Sequence, residues 1–225
     1  MSKDQDYAAL ARKRLEESLK ERDIYEVEVL GKTFKVYPDV FSPKYFIDTE
    51  FFAENIHVEP GEQFLEIGSG TGVISVVAAL QDAQVTATDI NKRAILNTAA
   101  NALLHGVQDK IVVLEGNLFD PIQSKKFDTI FWNVPFNHVA GDVSEVELAI
   151  FDPQDRYKRA FVEAAGRYLN VNGRLLIGFS SNYGDFEHLQ RLLKENGFAW
   201  SLIAEKTENF NGDIMNLELI EANRF

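Results

Sequence analysis

The sequence predicts an α/β domain in which a mostly parallel sheet of seven strands carries helices on both faces, preceded by an N-terminal helix and a β-hairpin. Three observations lead there. From Gln63 onward, short apolar runs alternate with stretches of helical periodicity, the pattern of strands joined by crossover helices. Three glycines lie directly between the first of those runs and the helix that follows. The last two runs are separated by little more than Asn211 and Gly212, which predicts an antiparallel pair at one sheet edge and so an antiparallel last strand.

Each element has its own signal. Tyr7, Leu10, Ala11, Leu15 and Leu19 recur at helical spacing with charges between them, so an amphipathic helix opens the chain. Tyr25 to Leu30 and Lys32 to Tyr37 are β-rich runs divided by Gly31, a hairpin or a pair of edge strands. Pro38, Pro43 and the aromatics between them make an irregular connector. Residues 1–49 thus hold helix, hairpin and connector, and residues 50–225 form the core domain. Strands are expected near 63–67, 84–88, 110–114, 127–132, 173–179, 199–205 and 213–221. Ala94, Ile95, Thr98, Ala99, Ala102 and Leu103 give one helix its buried face, stopped at His105-Gly106. Another helix starts near Asp185, with Phe186, Leu189, Leu192 and Leu193 inward and Gly197 as its stop.

Composition narrows the function classes. With 45% apolar residues and 17 Phe in 225, the chain has ample material for a packed core. The absence of Cys removes disulfides, thiolate metal sites and catalytic thiols. Met1 to Lys20 is charged, and no stretch approaches the roughly 20 apolar residues of a membrane span, so a cytoplasmic protein without a membrane partner is expected. A net charge of -12 disfavours nucleic acid as a partner, because phosphate affinity comes mostly from Lys and Arg. Lys125-Lys126 and Arg156 to Arg159 read as solvated faces. His57, His105 and His188 show no paired ligand spacing, and no metal is expected.

The glycine turn runs Phe64-Leu65-Glu66-Ile67-Gly68-Ser69-Gly70-Thr71-Gly72. A dinucleotide fingerprint wants Gly or Ala five places after Gly68, where Val73 stands. The spacing is instead Gly-x-Gly-x-Gly with the acid Glu66 upstream, which resembles motif I of the class I S-adenosylmethionine-dependent methyltransferases, a Rossmann-like family. The resemblance implies S-adenosyl-L-methionine as cofactor, with Gly68, Ser69, Gly70 and Gly72 making room for its amino-acid and sugar portions and Glu66 facing its ammonium group. Asp89, at the tip of the second strand, can accept hydrogen bonds from both ribose hydroxyls, or can simply cap the helix from Asn91. Asn117 stands where many relatives carry Asp and offers an acceptor to the adenine amino group, or is a polar turn residue. Ile90, Leu118, Thr49 and Asn133 complete the expected cofactor set.

The fourth core strand runs straight into Asn133-Val134-Pro135-Phe136. This tetrad resembles motif IV, the Asn/Asp-Pro-Pro-Tyr/Phe signature of methyltransferases that act on nitrogen attached to a planar system, among them the adenine-N6 enzymes and the release-factor glutamine methyltransferases. The resemblance covers roughly residues 41–180. Phe41, Pro43 and Thr49 echo a segment before motif I, and Phe151-Asp152-Pro153 echoes one after motif IV. A nitrogen whose lone pair is tied up in a planar group is a poor nucleophile, so the site should accept hydrogen bonds from its NH2 and hold it in line with the methyl group. The Asn133 side-chain oxygen and the Val134 carbonyl are the candidate acceptors, and Phe136 the stacking surface. Val134 in place of the first Pro frees a backbone N–H and unlocks φ there. On its residues alone the tetrad can also be a strand-end turn stopped by Pro135.

The segment Asn137 to Arg159, with Glu145, Glu147, Asp152 and Asp155, is acidic and suits a cationic or amine-bearing substrate, and His138 is a candidate proton acceptor. The glutamine enzymes carry a longer helical N-terminal domain for their partner than this helix and hairpin. The expected function is methyl transfer to a nitrogen of a protein side chain or small molecule. An RNA or DNA adenine-N6 methyltransferase is the enzymatic alternative and a non-catalytic cofactor-binding module the other. A nicotinamide oxidoreductase is opposed by Val73.

Overall fold

The computed structural model describes residues 3–210 and 213–225, beginning with the amphipathic helix α1 (Lys3–Ser18). Ala11 and Leu15 are its buried apolar residues; the side chain of Tyr7 lies outside the described residues. The antiparallel hairpin β1 (Tyr25–Val29) and β2 (Lys32–Val36) turns through Leu30 at φ 51° and Gly31 at φ 67°. Two consecutive positive φ values make the tight turn whose twist matches that of the paired strands. The connector does not stay irregular to its end, because Asp48–Asn55 forms a helix, α2, that sinks Phe51, Phe52 and Ala53 into the main core and crosses residues 49 and 50.

The core follows as β3 (Gln63–Ile67), α3 (Val73–Leu80), β4 (Gln84–Asp89), α4 (Lys92–Leu104), β5 (Ile111–Glu115), β6 (Phe127–Asn133), β7 (Asn137–Val139), β8 (Phe151–Pro153), α5 (Arg156–Ala165), β9 (Leu169–Phe179), α6 (Phe186–Glu195), β10 (Phe198–Phe210) and β11 (Asp213–Arg224), the expected strands with β7 and β8 added. Seven strands form one sheet in the order β10-β11-β9-β6-β3-β4-β5. The last strand, β11, is antiparallel to both neighbours, so it is inserted between β9 and β10 and leaves β10 at the edge. The Asn211-Gly212 link lies outside the described residues. β7 and β8 form a separate parallel pair that the sequence pattern did not announce, at three residues each too short for periodicity to register. α2, α3 and α4 contact one another in succession, and α5 packs with α6. No helix among the described residues is long and apolar enough to cross a membrane.

The hairpin corrects the expected buried face of α4. Ile95 is only half-buried, Ala99 is exposed and Leu103 is 67% exposed, whereas Asn97 and Asn101 are fully buried. The backbone N–H groups of Lys35 and Tyr37 donate to Asn101 Oδ1 and Asn97 Oδ1, each at 2.8 Å, and both amide NH2 groups return hydrogen bonds to the Lys35 carbonyl. β2 thus finds partners for its outer backbone groups on a helix. Each such bond is worth about 1 kcal/mol net, and losing one partner strands the other at a cost of about 1–3 kcal/mol.

Candidate active site

The chain leaves β3 toward β4 and β5 on one side and later returns to place β6 on the other. A parallel sheet opens a crevice beyond the carboxyl ends of its strands at such a reversal. A large cavity lies there, bringing together Glu66 near the end of β3 and Gly68 after it, Asp89 at the end of β4, Asn117 after β5 and Asn133 at the end of β6. Ser69, Gly70, Ile90, Leu118, Thr49 and Pro135 also line it.

The glycine turn is tied on two sides. Gly70 N–H donates to Asp89 Oδ2 at 2.8 Å, and Ser69 N–H to the Thr88 carbonyl at 3.0 Å. Thr98 of α4 holds the other side through Ser69 Oγ at 2.9 Å and the Gly70 carbonyl at 3.2 Å, and Asn101 reaches the Thr71 carbonyl at 2.8 Å. Gly72, the third glycine, does not face the cavity. It adopts φ +78° at the N-terminus of α3, where a Cβ would stand 2.8 Å from Thr98 Cγ2 and 2.9 Å from its Cα, so glycine is needed there for helix packing.

Two carboxyl groups stand on this cavity, Glu66 buried and Asp89 half-buried. Glu66 accepts from Ser75 N–H at 2.9 Å and from the Ser75 hydroxyl. Burial pushes its carboxyl up to about 8, against the two Ser75 hydrogen bonds and helped by the nearby Asp89 charge. Asp89 is pushed up to about 6, again by burial first, with the Gly70 and Asn91 N–H groups opposing. Asp89 Oδ1 does accept from Asn91 N–H at 2.8 Å, but the cap of α4 is Asn91 itself, whose side chain accepts from Arg93 N–H. Asp89 therefore orders the glycine turn as well as the helix approach. Leu118 adopts φ 47°, and its carbonyl accepts from Thr88 Oγ1 at 3.2 Å.

At the tetrad, the N–H that proline would have lacked is used: Val134 N–H donates to the Gly178 carbonyl at 3.2 Å, carrying the β6–β9 ladder one residue further. Asn133 Nδ2 donates to Asp48 Oδ2 at 2.8 Å, while Asn133 Oδ1 is buried without a hydrogen bond. That oxygen lies beside Gly178, where a Cβ would approach it to 3.1 Å. Phe136 is buried with its ring edge against Phe179, at 5.9 Å between centroids. A second, smaller chamber adjoins the first across Asn133 and Phe41, lined by Val134, Phe136 and Asp48, with Arg14 of α1 in its wall.

The acidic segment is mostly committed to its own structure. Glu147 closes the turn at Ser144 and pairs with Arg12 at 3.3 Å. Asp152 accepts from the N–H groups of Tyr157 and Lys158, and Asp155 pairs with Lys158 at 2.6 Å and His138 at 3.0 Å. Glu145 alone among these acids lines the large cavity, and His138 lines neither chamber. Sequence reasoning missed Asp48, because an acid in the first turn of a short helix reads locally as a terminus signal. Leu15 of α1 in the cavity wall was missed too.

The family profile described as the methyltransferase small domain matches residues 31–199. A release factor glutamine methyltransferase from Fusobacterium nucleatum subsp. nucleatum is 29% identical over 220 residues, 89% of this chain and 60% of that protein. One from Geobacter sulfurreducens is 30% identical over 185 residues, 76% of this chain and 63% of its own length. The chain thus spans less than two thirds of these relatives. Among solved structures, the ribosomal protein L11 methylase of Lactobacillus delbrueckii subsp. bulgaricus has a similar fold, with a TM-score of 0.55 at 18% identity over 76% of this chain and 75% of that one.

Proposed function

The chain belongs to the methyltransferase small-domain family, and from that premise we propose that it binds S-adenosyl-L-methionine and methylates a side-chain amide nitrogen of a protein, glutamine being the acceptor named for its relatives. The observation that carries this reading is the buried oxygen of Asn133, an acceptor without a donor on the wall between two chambers. A planar NH2 is the group that such an atom lacks.

The large cavity fits the cofactor's chemistry. Glu66 is a buried carboxyl with no ion pair among the described residues, suited to an ammonium group. Asp89 would take the ribose hydroxyls through the lone pairs its backbone bonds leave over, and Asn117, Ile90 and Leu118 would flank the base. Gly68, Ser69, Gly70 and Thr49 would border the amino-acid and sugar portions, with Gly72 keeping the turn in place from behind. Bound there, S-adenosyl-L-methionine supplies an electrophilic methyl on a positively charged sulfur. The chain's own part is positioning: the Asn133 side-chain oxygen and the Val134 carbonyl accept from the amide NH2, and Phe136 covers the planar group.

Incubation with methyl-labelled cofactor and a bacterial release factor, or a glutamine-bearing peptide, should add one methyl to glutamine as read by fragmentation mass spectrometry. Asn133→Ala should lower the rate by at least about 100-fold while S-adenosylhomocysteine still binds within a few-fold. An active Asn133→Ala enzyme, or stabilisation by NAD but not by S-adenosyl-L-methionine in a thermal shift, would defeat the reading.

A further inference from the structure

The small chamber beside the tetrad is too small for the proposed acceptor. Its free volume is about 20 Å³, room for about one water molecule, whereas a side-chain amide brings a carbon, an oxygen and a nitrogen with methylenes behind them. Asn133 Oδ1, the oxygen that the amide must reach, is buried. A wall therefore has to move before methyl transfer, and the walls are not alike. Val134, Phe136, Tyr183 and Met215 belong to the main core. Ala11, Phe46 and Ile150 belong instead to a separate, smaller cluster that they form with Leu15 and Phe151.

The part of that cluster with a free end is α1. Ala11, Arg14 and Leu15 fall on one face of the helix, at i, i+3 and i+4. That face lies across both chambers, with Ala11 and Arg14 in the wall of the small one and Leu15 in the wall of the large one. Arg14 is 9% exposed, and its charge is felt at Asp48, the partner of Asn133, where it opposes the effect of burial. The helix is fastened unevenly. Just beyond its C-terminal end, Glu21 accepts from the Tyr45 hydroxyl at 2.7 Å and from the Lys44 ammonium, which anchors the chain to the connector. Further toward its N-terminus, Arg12 makes an exposed ion pair with Glu147 at 3.3 Å and sits over the Phe151 ring, 4.8 Å from its centroid. Among the described residues no strand of the main sheet packs extensively against α1. Exposed ion pairs contribute little, and a segment with few buried contacts opens more readily than the core.

We propose that α1 is a gate over the acceptor side: docked, it keeps the acceptor away from Asn133, and it swings aside about residues 20–24, anchored at Glu21, when a protein side chain enters. The proposal rests on the amide reading above for the size of the acceptor and adds a moving part to it. The apparent affinity for the acceptor is then reduced by the fraction of molecules in which α1 is open. Whatever loosens the docked helix tightens acceptor binding, and whatever fastens it slows methyl transfer.

Arg12→Glu loosens the helix by setting like charges against each other, and neither Arg12 nor Glu147 lines a chamber. Native-state hydrogen exchange should show the amides of residues 11–18 opening at least about 100-fold more often than those of β3, without global unfolding. Arg12→Glu should speed those amides about 3- to 10-fold with the melting temperature within a few degrees of the parent. It should tighten binding of a glutamine-bearing peptide to the S-adenosylhomocysteine complex by the same factor in calorimetry. A lock tests the converse. The chain has no Cys, so Arg12→Cys and Glu147→Cys together can be joined by a short thiol-reactive bridge that a reductant cleaves. Bridged with S-adenosyl-L-methionine already bound, the protein should methylate the peptide at least about 10-fold more slowly than the same sample after reduction. Equal rates before and after reduction, or α1 amides that exchange only on global unfolding, would overturn the gate. If the amides open as expected while no form of the protein binds or methylates the peptide, the amide reading falls and α1 stands as a mobile cover.

Discussion

Replacing Glu66 by Gln should make the cofactor-free protein more stable as pH rises, while removing much of its response to S-adenosyl-L-methionine. The Glu66 carboxyl is 3% exposed and pushed up to about 8 from an ordinary 4.5. Between those values the folded state holds a proton that the unfolded chain releases, so stability declines with rising pH across the interval and levels off above about 8. At about 1.4 kcal/mol per pH unit, an interval from 4.5 to about 8 sets a ceiling of about 5 kcal/mol. Water entry from the cavity and relaxation around Ser75 reduce that to about 2 kcal/mol. Gln keeps the oxygen that accepts from Ser75 and never ionises. Measured without cofactor, the difference in melting temperature between Glu66→Gln and parent should grow from about 1 °C at pH 5 to about 6 °C at pH 8. Taking the difference isolates this group and its Asp89 neighbour from every other titration. With S-adenosyl-L-methionine at pH 7 the parent should release close to one proton on binding, read from calorimetry in two buffers, because an ammonium partner favours the carboxylate. A variant whose stability difference is independent of pH, or grows toward acid, would refute a buried protonated carboxyl at Glu66.

Two further substitutions probe the scaffold beneath the cofactor cavity. Gly72→Ala should cost about 3 kcal/mol in urea unfolding, from a positive φ and a Cβ overlapping Thr98; a change below about 1 kcal/mol would show that α3 and α4 separate easily. Asn101→Ala should cost about 2 kcal/mol and raise amide exchange at Lys35, whose N–H loses its acceptor. Unchanged exchange at Lys35 would mean that the hairpin is held by other contacts.

The core strands and the glycine turn were legible because their signals are local. A central parallel strand such as β3 is buried on both faces and reads as a continuous apolar run. Gly68, Gly70, Glu66 and Asp89 stand at strand ends that the alternation of runs already locates. What the sequence hid depends on distant partners. Asn97 and Asn101 are polar, so a periodicity argument places them outside, yet the backbone of a hairpin some 60 residues earlier turns them inward. Asp48 lies 85 residues from Asn133, and nothing in its neighbours Ile47 and Thr49 tells of that contact. Gly72 reads as part of a ligand loop, and only the packing of α3 on α4 shows that its missing side chain serves Thr98.

Val134 shows how the rest of the fold compensates for a departure in a short motif. A proline there would fix φ and donate nothing, leaving the turn stiff on its own account. With Val134 the turn is held from outside. Its N–H continues the ladder to Gly178, and Lys158, buried between Asp152 and Asp155, brings its ammonium to 3.5 Å from the Pro135 carbonyl. Asp48 then fixes the Asn133 amide from the opposite side. The tetrad's geometry therefore depends on three elements distant in sequence, β9, α5 and α2, rather than on two successive prolines. Loosening any of them should disturb the acceptor side before the cofactor side, because Glu66 and Asp89 are anchored independently through Ser75 and Gly70.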